Sequence, residues 1–448
     1  MVRELAWRVL RSGSPTPLRE VERAAREAGL DPRDRGLLRR LVGTEVRRRG
    51  TLRALVRAFA RGKPDPDLVA HLHLGLVQLY FLDQIPDHAA VGETVAAVKA
   101  TLSPKKAGYV NATLRAALQA RRSGASGDPR RDLPLRDVHL AGLVFPDPKE
   151  HPLLWAESAL SMPAQLVRGW IRRHGEPRAL ALARAALVEP PLSLRLRTDD
   201  PGLTPALEAA GCAPRAGRHP RIRLVDSDRS EAVLQSAPFA SGSITVQGET
   251  ALRAAELLEP ESGEILLDLC AAPGGKTVVL ADAGARVVAC DASASRLLRL
   301  QDTLRRLAPP GRVELAACDA GAGSRREAFD GVLVDAPCSN TGVLAQRPEA
   351  RWRYGPSAVR ALSLLQARLL RAGAERVKRG GRLVYSTCSL EPEENGRCVD
   401  AFLRERADFE LEASIETLPD LEDPAGPVDG GYAARLRRRS SDPRAGAA

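Results

Sequence analysis

From about Ser241 onward the chain alternates short, unbroken apolar runs with amphipathic segments, and that alternation leaves few folds open. EILLDLC, ARVVACD, RVELAACD, FDGVLVDAP and GRLVYSTCS are the apolar runs. Helical spacing covers Arg296 to Leu307 and again Pro356 to Lys378. Strands apolar on both faces need cover on both faces. Strand and helix in turn therefore predict a parallel sheet wrapped by helices, with ligands at the carboxyl ends of the strands. Each run also ends in polar or reactive residues, at the edge where such a sheet binds.

The first of these ends is DLCAAPGGKT, Asp268 to Thr277, which follows a strand and opens a helix. Gly274 and Gly275 let the backbone approach a ligand closely. The pattern is neither G-x-G-x-x-G nor a phosphate-gripping P-loop, so alone it is a weak nucleotide signal. The next strand ends in Asp291, where a carboxylate can accept both hydroxyls of a ribose. The third ends in Asp319, placed to receive an adenine amino group. Each acid alone also reads as a helix N-cap. Together they favour an adenosine-bearing cofactor without a diphosphate, a description that S-adenosyl-L-methionine fits.

The fourth strand ends in Asp335-Ala336-Pro337-Cys338-Ser339 and the fifth in Ser386-Thr387-Cys388-Ser389. The 7 cysteines are an odd set without paired CxxC spacing, which argues against a disulfide framework and a zinc site and for a reduced, cytoplasmic setting. Free cysteines are often small buried hydrophobes. Here two of them lie in polar turns directly after buried strands, and both would face one crevice. A thiolate beside a methyl donor suits substitution at a pyrimidine carbon. Covalent addition at C6 of cytosine turns C5 into a nucleophile, and a base must later remove the C5 proton. The target base must be unpaired or flipped out to be reached.

The preceding half differs in charge. Residues 1–250 carry 39 basic and 27 acidic side chains, whereas residues 251–448 carry 28 and 29. Such an excess suits a polyanion. Residues 1–125 read as helices with arginine-rich polar faces, DRGLLRRLVGTEVRR and TLRALVRAFA separately, and DLVAHLHLGLVQLYFLDQIP as the central one. A linker follows from Ser123. Residues 133–240 read as short helices plus a small α/β module with strands PLSLRLRT and RIRLVD; its arginines either meet RNA or form a solvated face. Residues 241–448 are the sheet domain. MVRELAWRVL is too charged for a signal core, and no apolar run is long enough to span a membrane.

DLCAAPGGKT, DAPCSNTGV (Asp335 to Val343) and YSTCSLEPEEN (Tyr385 to Asn395) resemble the cofactor and two cysteine motifs of the RNA (cytosine-C5)-methyltransferases. LGLVQLYFLDQIPDHAAVGETV with YVNATLR resembles the NusB-like RNA-binding domain of the Sun/Fmu-type bacterial enzymes. HPLLWAESALSMPAQLVRGWIRRHG is similar to their middle segment, so the likeness covers nearly the whole chain. It implies a class I, Rossmann-like methyltransferase domain behind an all-α NusB-like bundle and a small α/β module. It also implies methylation of C5 at cytosine 967 of 16S ribosomal RNA, free or in a small-subunit assembly intermediate, by a monomer. Cys388 is then the nucleophile, Cys338 assists release of the adduct, and Asp335 orients the cytosine or the donor methyl. Cys270, Ala271, Ala272, Pro273, Gly274, Gly275 and Lys276 line the donor pocket with Asp291, Asp319 and Asp335. Alternatives are a tRNA or another rRNA cytosine, or a non-catalytic NusB-like RNA-binding factor. Three positions depart from the family: Gly248 for its usual Asp, LRLR (Leu194 to Arg197) for LRVN, and Gly431 within the usual Gly-Phe-Phe element.

Overall fold

The computed structural model describes residues 1–317, 327–420, 423 and 428–440. They form two compact units, Met1–Val188 with Arg347–Tyr354, and Glu189–Gln346 with Gly355–Ala448. The boundary at Val188 falls inside the 133–240 stretch set apart from the sequence. Among the described residues, no helix is long and apolar enough to cross a membrane.

Unit 1 begins with six helices: α1 (Val2–Arg11), α2 (Pro17–Glu27), α3 (Pro32–Phe59), α4 (Pro66–Phe81), α5 (Asp87–Thr101) and α6 (Pro104–Ala120). Asp31, Asp65 and Ser103 start three of them by accepting a backbone N–H three residues on, and each is followed by proline. In α4 every residue from Ala70 to Tyr80 is buried, the polar His71, His73 and Gln78 among mostly apolar neighbours. This helix is therefore enclosed on every side and forms the centre of the bundle, as its sequence predicts. The two helices expected across residues 34–60 are one. Gly50 lies mid-helix because a Cβ there would stand 2.1 Å from Glu157 O. The glycine serves a close packing contact, at an intrinsic cost to the helix of about 1 kcal/mol.

The segment expected to be a linker is instead an ordered hairpin. Strands β1 (Arg121–Ser123) and β2 (Val138–Leu140) pair antiparallel. Between them Gly124 and Gly127 take positive φ, and Asp132 accepts the backbone N–H groups of Ser126 and Gly127. The Gly/Ser/Asp composition therefore encodes a side-chain-capped turn. Three further helices follow, α7 (Pro152–Ser158), α8 (Ala164–His174) and α9 (Glu176–Ala185), and the unit also takes in a short 3-10 helix, Pro348–Arg353.

Unit 2 opens with a small module of β3 (Leu192–Leu196), α10 (Leu203–Ala209), β4 (Arg215–Ala216), β5 (Ile222–Val225), α11 (Ser230–Gln235), α12 (Ala237–Ala240) and β6 (Ile244–Val246). Its strand order is β4-β5-β3-β6. Strand β6 pairs with β3 through Leu196 and Ile244, so this sheet continues past residue 240. Arg195 and Arg197 are buried or nearly so and both grip Asp282, at 2.9 and 2.6 Å. These arginines of the departing LRLR sequence thus hold the module to a helix of the main sheet rather than face solvent.

The main sheet follows as α13 (Glu249–Glu256), β7 (Ile265–Asp268), α14 (Gly275–Asp282), β8 (Arg286–Asp291), α15 (Ala294–Leu307), β9 (Val313–Ala317), β10 (Phe329–Asp335), α16 (Pro356–Ala374), β11 (Val377–Thr387), α17 (Gly396–Glu405), β12 (Phe409–Thr417) and β13 (Gly431–Arg438). Its order is β12-β13-β11-β10-β7-β8-β9. Strands β11, β10, β7, β8 and β9 are parallel, while β13 and β12 add antiparallel at the edge. This Rossmann-like arrangement sets the ends of β8, β7, β10 and β11 side by side.

Candidate active site

The donor half of the site is built by β7, β8 and the turn after β7. Asp268 closes β7 almost fully buried, and Thr277 Oγ1 donates to its Oδ2 at 2.7 Å. Burial pushes the Asp268 carboxyl up to about 7. Residues Cys270, Ala271, Ala272 and Pro273 form the turn. Gly274 then takes φ 106, and a Cβ there would lie 2.3 Å from Leu300 Cδ1. Gly275 and Lys276 begin α14. Burial raises the Cys270 thiol far above its ordinary range, and the acids around it add to that shift. This third cysteine is a neutral lining group.

Asp291 ends β8 with 1% of its surface exposed. Its Oδ1 accepts from Ser293 N at 2.9 Å and lies 3.0 Å from an Arg296 nitrogen. Its Oδ2 is buried with no partner among the described residues. The turn-capping and ligand-holding readings of this acid are thus compatible, one oxygen serving each. A buried, unpaired carboxylate oxygen fits the ribose of the expected S-adenosyl-L-methionine, because a hydroxyl donor offsets its desolvation. Asp319, expected to reach the adenine, lies outside the described residues, as does Cys318.

The reactive half is built by β10 and β11. Cys338 and Cys388 come together with Sγ atoms 3.0 Å apart. Cys388 Sγ donates to Asn340 Oδ1 at 3.3 Å, and Asn340 Nδ2 donates to Cys338 O at 2.7 Å. Lys276 Nζ lies 2.7 Å from Asp335 Oδ2, while Ser386 Oγ donates to Asp335 Oδ1 at 2.8 Å. Burial alone would lower the Lys276 ammonium, but Asp335 outweighs it and holds it above its usual value. The Cys338 thiol is raised well above normal by its hydrogen bond to Cys388, by burial, and by the charges of Cys388 and Glu394. One thiol of the pair is held protonated.

Sequence reasoning missed the group beneath the thiols. Glu394 is fully buried, and Ser339 N and Gln366 Nε2 donate to its Oε1 at 2.9 and 3.0 Å. The hydroxyls of Ser339 and Ser389 both donate to Oε2. This carboxylate ties the residue after Cys338 to the residue after Cys388. The run EPEEN shows three acids without showing which one turns inward; a helical or strand period is the usual signal, and this short loop has none. Two family departures also meet near the site. A Cβ at Gly248 would stand 2.8 Å from Asp429 Oδ2, and one at Gly431 would stand 2.7 Å from Thr387 O.

Comparison with known proteins gives two family matches. Residues 255–422 match the family described as 16S rRNA methyltransferase RsmB/F, and residues 2–119 match the NusB family. The ribosomal RNA small subunit methyltransferase B of Pseudomonas putida is 34% identical over 433 residues, covering 91% of each chain. The crystal structure of PH0851 covers 98% of this chain and 97% of its own, with a TM-score of 0.74 at 23% identity, a likeness of fold. A methyltransferase homolog protein from Pyrococcus horikoshii superposes with a TM-score of 0.54 at 27% identity, over 64% of this chain and 99% of its own.

Proposed function

Because the chain belongs to the RsmB/F family of 16S rRNA methyltransferases, we propose that it methylates C5 of cytosine 967 in 16S ribosomal RNA through a covalent adduct with Cys388. Its methyl donor is S-adenosylmethionine, which supplies an electrophilic methyl group when bound against the turn from Cys270 to Lys276. The reading is carried by one observation, two thiols 3.0 Å apart at the ends of neighbouring strands. A single thiol there would be a packing residue or a nucleophile; two allow nucleophile and release groups to be different atoms.

In this reading Cys388 Sγ adds to C6 of the cytosine, which concentrates electron density at C5 for methyl transfer. Asn340 fixes the Cys388 sulfur from one side. Lys276 and Asp335 form a charged pair that orients the ring, and Ser386 holds Asp335 in place. After transfer the C5 proton must leave before the C6–S bond can break. Cys338, beside Cys388, takes this proton as a thiolate after giving its own proton to solvent. The C5–H electron pair re-forms the C5=C6 bond and expels Cys388 as a thiolate. The high pKa of Cys338 makes its thiolate a strong base. The base must be unpaired or flipped out of any stack for Cys388 to reach C6.

Two variants test the division of labour. Cys388→Ala is expected to abolish transfer, and Cys338→Ala to accumulate protein covalently bound to RNA in denaturing gels. Normal turnover in both would overturn the assignment. Bisulfite sequencing of rRNA and tRNA from cells with and without the gene checks the site: loss of a protected cytosine at 967 alone is expected, and loss elsewhere would reassign the substrate.

A further inference from the structure

Gln247 sits where β6 gives way to α13, and its backbone is fastened on both sides to β3. Its N–H donates to Ser193 O at 3.0 Å, and its carbonyl accepts from Ser193 Oγ at 3.0 Å. The side chain is 6% exposed, and neither Oε1 nor Nε2 has a hydrogen-bond partner among the described residues. Native structures pair almost all buried polar groups, because an unpaired one loses its water without compensation. A buried amide with both atoms unpaired therefore points to a ligand that offers an acceptor and a donor together.

The direction in which it is aimed says which ligand. A Cβ added to Gly275 would lie 3.6 Å from Gln247 Nε2 and 3.9 Å from its Cδ, so the amide rests against the donor turn at the start of α14. We propose that Gln247 is a donor-binding residue whose amide takes the amino-acid end of S-adenosylmethionine. Nε2 donates to the carboxylate and Oε1 accepts from the ammonium. The N–H groups at the start of α14 favour the carboxylate in the same place. The other parts of the donor are accounted for by different groups: the ribose by Asp291, and the methyl by the crevice of Cys338, Cys388, Asp335 and Lys276. The inference rests on the donor assignment above.

The test compares two ligands that differ in this end. S-adenosylhomocysteine carries the amino-acid group and 5′-methylthioadenosine lacks it. Gln247→Leu, close in size and free of polar atoms, is expected to weaken S-adenosylhomocysteine binding by roughly tenfold in calorimetric titration. Its affinity for 5′-methylthioadenosine is expected to stay within twofold of the unaltered protein, and so is its affinity for 16S rRNA. Equal weakening of both nucleosides, unchanged S-adenosylhomocysteine binding, or a loss confined to RNA affinity would each overturn the proposal. Failure of the unaltered protein to bind S-adenosylhomocysteine would instead overturn the donor assignment itself.

Discussion

At Asp268 burial and ionisation oppose each other, and the outcome is visible as a pH dependence. The folded carboxyl titrates near 7 against an ordinary value of 3.8. Between about pH 4 and 7 the folded chain keeps a proton that the unfolded chain has released, so raising the pH favours unfolding. This contribution is fully present below pH 4, falls by about 1.4 kcal/mol per pH unit, and is gone above 7. Asp268→Asn removes the titration. In urea unfolding without donor, the stability of the Asn variant relative to the unaltered protein is expected to rise by roughly 2–3 kcal/mol from pH 5 to 7. Parallel pH curves would show that Asp268 is ionised in the fold. At this scale the sequence was readable where residues end strands: Asp291, Asp335, Cys338, Cys388 and Lys276 all lie at the carboxyl edge as expected. Glu394 and Gln247 were not readable, because each sits at a short loop or junction where no periodicity shows which way a side chain turns.

The elements that carry the thiols are two loops, and a buried anion makes them one. Each follows a parallel strand, so the sheet fixes only where it begins. Glu394 fixes the rest by receiving four donors from both loops and from α16. Glu394→Ala strands Ser339 N and weakens the hydroxyl cluster, a loss of about 2–4 kcal/mol for a few unpaired buried groups. A drop of that size in unfolding free energy is expected, with turnover reduced at least tenfold. Glu394→Gln keeps one acceptor oxygen and is expected to be milder in stability. It also removes a negative charge that raises the Cys338 thiol, so the thiol limb of its pH-rate profile moves to lower pH. Full turnover in the Ala variant would show that the loops hold their geometry without the bridge. The strand and helix pattern that predicted the parallel sheet says nothing about such a tie. It also did not foresee β12 and β13, since alternating exposed residues at a sheet edge resemble any polar segment.

Over the whole molecule, the basic excess of residues 1–250 is only partly available to a polyanion. Arg48 and Arg195 are buried, and Arg48 lies 4.9 Å above the Phe81 ring while donating to Pro134 O. A charge count read from the sequence treats every arginine as solvated, and here several hold the fold instead. The same lesson applies to connectivity. Residues 347–354 lie between β10 and α16 in sequence, yet they fold into unit 1. Arg351 is fully buried there. Its guanidinium donates to the carbonyls of Pro348, Arg47, Ser161 and Ala186, joining α3 to the α7–α8 connection and the end of α9. Trp352 Nε1 donates to Val46 O at 2.8 Å, and the guanidiniums of Arg49 and Arg53 stand over its ring. Burial pulls the Arg351 guanidinium down to about 9, with Arg47 and Arg48 adding repulsion, and the carbonyls together with the charge of Glu349 oppose this. Arg351→Met keeps much of the volume but leaves those carbonyls short of donors, a cost of about 3 kcal/mol. For a unit of this size that corresponds to a fall of roughly 6–12 °C in the unfolding temperature of unit 1. Hydrogen exchange should quicken around Arg47 in α3 and at the end of α9, with β10 and β11 as the internal reference. Unchanged exchange in α3 would mean that this excursion of the chain follows the fold of unit 1 rather than stabilising it.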